Sequence, residues 1–220
     1  MKGKLIVLEG TDCSGKSTQF QRLCTYFEAQ KIPYRKLVFP RYAEESSALI
    51  RMYLNGEFGA SPSDVSPYTA SVFFAVDRYA SFMKDWKSFY QEGGIVLSDR
   101  YTTSNAIHQG SKLSGDARNA FIRWLFEFEY GLMGLPNPDL VLFLDMPTKY
   151  AVTLLASREG KTTDIHENDL EYLETCYNTA LQLQQAYGWS AISCVEKNSI
   201  RPIEKISRDI ISVVEGILHD

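Results

Sequence analysis

Apolar positions along the chain follow two rhythms. Short runs rich in β-branched residues, at 5–8, 36–39, 95–98, 140–144 and 191–195, alternate with longer stretches in which apolar residues return every three or four positions. The short runs predict strands buried on both faces, and the longer ones predict amphipathic helices. Five strands separated by helices predict an α/β fold, a five-stranded parallel sheet with helices on both faces in three layers. Phe20, Leu23, Cys24 and Phe27 mark a helix after the first strand. Between Pro67 and Gly93-Gly94, Val72, Val76, Tyr79, Phe82, Met83 and Trp86 predict one long buried helix. Behind Pro202, Ile203, Ile206, Ile210, Val213, Val214 and Ile217 predict a closing helix whose stripe joins the core. Residues 55–66 and 157–168 read as irregular loops.

At the junction of the first strand and first helix stands Gly10-Thr11-Asp12-Cys13-Ser14-Gly15-Lys16-Ser17, which fits G-x-x-x-x-G-K-[ST] completely. Its position is the one its physics requires. Unpaired N–H groups at the helix start, together with the positive end of the helix dipole, favour phosphate oxygens. Residues 10–17, with Thr18, are therefore expected to bind a nucleoside triphosphate. Lys16 is expected to reach the terminal phosphates, and the Ser17 hydroxyl to ligate Mg²⁺.

With 220 residues, 45% of them hydrophobic, the chain can bury one sizeable core, and one domain spanning 1–220 is expected. The formal charge of −4 offers no general basic surface, which argues against nucleic acid as a partner. Cys13, Cys24, Cys176 and Cys194 show no C-x-x-C or metal spacing and fit a reducing, cytoplasmic setting. No apolar leader and no bilayer-length apolar run is visible, so no membrane association is expected.

Ligands of open parallel sheets bind beyond the carboxyl ends of the strands. Those positions are here unusually charged: the first strand leads into the phosphate loop, the second into Pro40-Arg41, the third into Asp99-Arg100-Tyr101, and the fourth into Asp145. A lysine, two arginines and carboxylates thus collect at one edge of a sheet in an acidic protein.

Six segments, in order, carry a specific resemblance: Glu9-Gly10-x-Asp12, Phe39-Pro40-Arg41, Phe74-Ala75-x-Asp77-Arg78, Asp99-Arg100-Tyr101 with Ser104-Asn105-Ala106, Pro136-x-Pro138-Asp139-Leu140, and Asp164-x-x-Glu167. Over nearly its whole length the chain resembles the thymidylate kinases, P-loop nucleoside monophosphate kinases. The resemblance implies transfer of the ATP γ-phosphoryl group to the 5′-phosphate of thymidine monophosphate (dTMP). Because the acceptor oxygen is already anionic, no strong general base is needed, and the protein's work is alignment and charge neutralisation. By similarity, Arg100 holds phosphate between donor and acceptor, and Asp99 orients either Arg100 or a metal-bound water. Arg41 is the candidate for the acceptor phosphate, where a planar guanidinium can bond bidentately.

Phe74 and Arg78 lie four apart on a helix, so a ring can stack on a pyrimidine while a guanidinium meets its edge. The resemblance assigns them to thymine, places Asn105 at the base N3 edge and gives Asp12 the deoxyribose 3′-hydroxyl. It also groups Phe39, Ser104, His108, Asp164, His166 and Glu167 around the acceptor nucleotide. A lid of about 157–168, with Arg158 as its catalytic cation and Lys161 in support, is expected to close over ATP and exclude water. Relatives pair as homodimers through apolar helices, and the face of 68–89 or the run 121–126 could serve.

The chain departs from the family pattern at three places. Cys13 stands in the phosphate loop where some relatives carry arginine, which shifts the catalytic burden to Arg158 and leaves Cys13 as a small filler or a redox-sensitive thiol. His108 and His166 stand where aromatic residues are usual, either as flat rings or as groups that alter discrimination, so deoxyuridylate or a modified pyrimidine nucleotide is a possible substrate. Two rival functions remain: a deoxynucleoside kinase with Asp12 or Glu9 as base, and a non-catalytic nucleotide-binding module.

Overall fold

A computed structural model describes residues 2–156 and 170–219. Strands and helices alternate in chain order: β1 (Lys4–Glu9), α1 (Lys16–Ala29), β2 (Tyr34–Val38), α2 (Ala48–Leu54), α3 (Pro67–Ser81), α4 (Lys87–Gln91), β3 (Ile95–Asp99), α5 (Thr102–His108), α6 (Gly115–Phe126), β4 (Leu140–Asp145), α7 (Thr148–Ala156), α8 (Leu170–Tyr187) and β5 (Ser190–Ser193). A short antiparallel pair, β6 (Val195–Glu196) and β7 (Ser199–Ile200), precedes α9 (Ile203–His219). Among the described residues β1–β5 form one parallel sheet in the order β2-β3-β1-β4-β5. The expected architecture is thus present. The second and fifth strands begin at Tyr34 and Ser190, earlier than the apolar runs that announced them, because both are edge strands whose first residues stay partly exposed.

Period-two alternation fills both faces of this sheet. Leu5 and Val7 of β1 with Val141 and Phe143 of β4 point into one core, shared with α4, α5, α6 and α8. Ile6 and Leu8 with Leu142 and Leu144 point into the other, against Phe20, Leu23 and Phe27 of α1 and Ile206, Ile210 and Val214 of α9. Burying such side chains stabilises by about 1.5–3 kcal/mol each. The C-terminal stripe is therefore core, as expected. Among the described residues no helix is long and apolar enough to cross a membrane, and all four cysteines are free thiols.

The long helix predicted over 68–89 is different. It is continuous in direction from Pro67 to Gln91, but residues Phe82–Trp86 form a π-helical turn. A π turn adds a residue to the repeat and so resets the facing of the turns beyond it. Phe82 and Trp86 are buried, whereas Val72, Val76, Tyr79 and Met83 are 36–46% exposed. The stripe expected in the core is thus an outer face. By contrast, Phe121, Ile122 and Leu125 of the alternative run are buried among the sheet-facing residues. Residues 55–66 are irregular apart from a turn of 3₁₀ helix at Pro62–Asp64, with Val65 packed near Tyr53 and Ala70.

Candidate active site

β1 ends at Glu9, and the phosphate loop turns the chain straight into α1. Two glycines permit that turn for different reasons. At Gly15, φ is +86° and a Cβ would meet nothing within 4 Å, so the left-handed backbone is what demands glycine. At Gly10 a Cβ would come within 2.6 Å of Ser14 Oγ, so close approach demands it. Cys13 also has positive φ, +60°, and its side chain is buried in the core that contains Leu144 and Met146.

A cleft of about 480 Å³ opens over the carboxyl ends of β1, β2 and β3. One end is walled by Asp12, Cys13, Gly15, Lys16, Ser17 and Thr18. The other is walled by Phe39, Phe74, Arg78, Ser104, Asn105 and His108, with Asp99 and Arg100 also on its surface. The structure thus brings most of the sequence-predicted residues to one cavity. Arg158, Asp164, His166 and Glu167, with the remainder of the expected lid and Lys161, lie outside the described residues.

Lys16 is buried, with Nζ donating to the carbonyls of Gly10 and Thr11 at 2.7 and 2.9 Å. Burial, and then repulsion from Arg100, lower its pKa to about 8 against the opposing pull of Asp12, Asp99 and Glu9. Arg100 has φ of +68°, rare for a side chain of its size, and this conformation returns its guanidinium over the phosphate loop. There Nη2 forms a short ion pair with Asp12, while Nη1 donates to Ser104 Oγ at 3.3 Å and to His108 Nε2 at 3.0 Å. Burial disfavours the Arg100 charge, but Asp12, Glu9 and Asp99 outweigh it and raise the pKa. The negative charge inside the phosphate loop thus has a local function in holding the arginine.

Glu9 is fully buried and braces the start of α5, accepting from Thr103 Oγ1 at 2.5 Å and Ser104 Oγ at 2.8 Å and from the Tyr101 N–H at 3.3 Å. Its pKa is raised, chiefly by burial. Arg78 is 2% exposed and forms a fork with Glu129, Nε to Oε2 at 2.7 Å and Nη2 to Oε1 at 2.6 Å. Burial opposes its charge and Glu129 more than restores it. Asn105 Nδ2 donates to the Ser71 carbonyl at 3.3 Å, fixing the amide. Phe74 meets Tyr53 edge to face, with centroids 6.3 Å apart.

Arg41 corrects the expectation. Its neighbours Pro40 and Tyr42 line the cleft, but its own N–H and Nε bond the carboxylate of Asp77 at 2.9 and 3.1 Å, and Nη1 reaches Asp85 at 2.6 Å. Asp77 is fully buried, and a buried carboxylate requires a paired cation, which Arg41 supplies. In this structure Arg41 ties the loop after β2 to α3 and does not face the acceptor end.

Three site residues escaped the sequence reading. Gln109 lines the cleft, is fully buried, and neither amide atom has a hydrogen-bond partner among the described residues. Tyr42 lines it next to Arg41. Glu129 fixes Arg78 from within Phe-Glu-Phe-Glu-Tyr, and a carboxylate among aromatics is a usable signal, since once buried it must be paired.

Asp99 is 8% exposed, lines the cleft with Ser17, and forms no hydrogen bond or salt bridge through its carboxylate among the described residues. A hydroxyl and an uncommitted carboxylate are hard oxygen donors and fit Mg²⁺. No cluster of three or more His, Cys, Asp or Glu side chains able to hold a metal occurs among the described residues.

Comparison with known proteins points to one family. The family model described as thymidylate kinase matches residues 8–210. The thymidylate kinase of Plasmodium falciparum is 31% identical over 98% of this chain and 91% of its own length. That of Mycobacterium tuberculosis is 30% identical over 84% of this chain and 87% of its own. A solved thymidylate kinase from Candida albicans superposes with a TM-score of 0.73 at 20% identity, covering 98% of this chain and 92% of that one. That likeness concerns the fold.

Proposed function

The chain belongs to the thymidylate kinase family, and from that premise we propose that it transfers the γ-phosphoryl group of ATP to the 5′-phosphate of thymidine monophosphate. One observation carries the proposal: a phosphate loop and a base-sized groove share a single cleft, with Arg100 on its wall. Residues 10–18 receive the donor phosphates, and Lys16 leaves the loop carbonyls to meet them. Ser17 and Asp99 would hold Mg²⁺, which when bound neutralises phosphate charge and orients the donor. Arg100, anchored by Asp12 on one side and by His108 and Ser104 on the other, stands where two anions must approach. Its guanidinium offsets their repulsion and the charge of the transition state.

At the acceptor end the base stacks on Phe74. Arg78, Asn105 and Gln109 present donors and acceptors to its edge, and the unsatisfied Gln109 amide can both accept from an imide N–H and donate to its carbonyl. The acceptor oxygen of a monophosphate needs no base. Glu9 and Asp12, the candidate bases for a nucleoside acceptor, are already committed to hydroxyls and to Arg100. That commitment disfavours a nucleoside acceptor. Arg158, Asp164, His166 and Glu167, outside the described residues, are the further candidates for binding ATP and substrate.

The test is a coupled assay with ATP and Mg²⁺ against a panel of deoxynucleosides and monophosphates. We expect turnover of thymidine monophosphate above deoxyuridine monophosphate and none of nucleosides. Turnover of nucleosides alone would make the protein a nucleoside kinase, and binding of ATP without transfer would make it a nucleotide-binding module. The free thiols support a cytoplasmic site of action. The exposed stripe Val72, Val76, Tyr79 and Met83 supports a homodimer through α3. Sedimentation should show a dimer in the wild type and a monomer in the Val76→Glu, Tyr79→Glu double variant.

A further inference from the structure

Arg100 is held at three points, and the least expected is an imidazole. Its Nη1 lies 3.0 Å from His108 Nε2. A guanidinium has only donors, so Nε2 must present its lone pair and the ring proton must sit on Nδ1. That proton has a receiver: Nδ1 faces Cys176 Sγ of α8 at 3.7 Å. The thiol in turn donates to Ser111 Oγ at 3.3 Å, and Ser111 Oγ donates to the carbonyl of His108 at 2.8 Å. Tyr172, also on α8, donates to the same carbonyl at 2.8 Å. The ring is 8% exposed and lines the cleft. These contacts among the described residues fit one tautomer of a neutral imidazole.

We propose that His108 is a positioning residue for phosphoryl transfer, the neutral Nδ1–H ring accepting a hydrogen bond from Arg100 and, with Asp12, setting the guanidinium between donor and acceptor phosphates. The inference rests on the kinase function proposed for this cleft, through the role given to Arg100. Among the described residues, Arg100 after β3 and Cys176 and Tyr172 of α8 contact His108, and Asp12 of the phosphate loop stands on the far side of Arg100. Beyond them, Glu9 holds the Ser104 hydroxyl that Arg100 also bonds, Lys112 lies near Cys176, and Tyr53 of α2 near Tyr172. Burial pushes the Cys176 thiol up to about 12, so there is no thiolate to favour an imidazolium. A second proton on the ring would replace the acceptor with a donor and set two cations 3.0 Å apart. Acid should therefore release Arg100.

His108→Phe keeps a flat ring and removes the acceptor; His108→Gln supplies a carbonyl acceptor that does not titrate. With saturating ATP at pH 7.5, KM for thymidine monophosphate should rise about 10- to 100-fold in the Phe variant and stay within about 3-fold of wild type in the Gln variant. Between pH 7.5 and 5.5 the substrate phosphate, with its second pKa near 6, titrates equally for all three proteins. Wild type should weaken more than the Gln variant, because only it carries an imidazole that acid can protonate. Ring ¹⁵N NMR of the histidine-labelled wild type, assigned by loss of signal in the Gln variant, should show Nδ1–H. Wild-type KM and pH profile in the Phe variant, or an Nε2–H ring, would overturn the proposal. If the wild type phosphorylates no monophosphate, the kinase function fails by itself. The contact would then still stand on an Nδ1–H ring and fall with an Nε2–H one.

Discussion

The two ends of the cleft are made of different materials. At the donor end, phosphate is met by consecutive residues, and the decisive groups are backbone N–H groups, two glycines and one lysine within eight positions. At the acceptor end, Phe74 and Arg78 come from α3, Ser104, Asn105 and His108 from α5, and Gln109 from the residue after it. Each cation there is matched by a carboxylate from another element: Arg78 by Glu129 and Arg100 by Asp12. The donor end is therefore specified by local conformation, whereas the acceptor end is specified by long-range ion pairs. Disturbing an ion pair should cost both stability and acceptor affinity; disturbing the donor lysine should cost donor affinity alone.

The largest effect is expected at Glu129. Neither Glu129 nor Arg78 reaches solvent appreciably, and breaking such a pair by removing one partner leaves a buried uncompensated charge. Glu129→Gln should destabilise the protein by about 3 kcal/mol, the low end for such changes because the amide still accepts from the guanidinium. For a chain of this length that lowers Tm by about 6–12 °C. KM for thymidine monophosphate should rise while KM for ATP holds. Denaturation and steady-state kinetics check both parts. A variant that melts with the wild type would show that the acceptor end is not secured by its ion pairs.

The same contrast governs what could be read from the chain. The phosphate loop, its strand and its helix were legible because motif, strand and helix are contiguous. Sheet architecture followed from runs of β-branched residues, and the two-faced core from their alternation. What eluded a linear reading involves partners distant in sequence. Arg41 carries the right chemistry for phosphate, but Asp77 and Asp85, 36 and 44 residues further on, claim its guanidinium. Glu129 lies 51 residues from the arginine it fixes. The stripe from Val72 to Met83 has helical spacing whether it meets the core or a second copy of the chain. The π turn at Phe82–Trp86 then moves Met83 outward while Phe82 and Trp86 go in. A single repeat of 3.6 residues cannot express that change.

A smaller effect tests the donor end by pH. In the folded chain Lys16 titrates at about 8, lowered mainly by burial and next by Arg100, against an ordinary value of 10.5. Below about pH 8 the free enzyme carries the charge that ATP phosphates meet; above it that charge is lost. The pH profile of kcat/KM reports the free enzyme, so kcat/KM for ATP should fall about 10-fold from its plateau by pH 9. Bound phosphates hold the proton on Nζ, so kcat should stay level over the same interval. The stability contribution has the opposite sign. Between about 8 and 10.5 the unfolded chain binds more protons at this lysine than the folded one, so the cost of burying the charge, full below 8, is relieved as pH rises. At the acceptor end Arg78 and Arg100 have raised values and keep their charge throughout, so KM for thymidine monophosphate should not move between pH 8 and 9. If both KM values rose together, the two ends would share one titrating group, and the division between a local donor site and a distributed acceptor site would not hold.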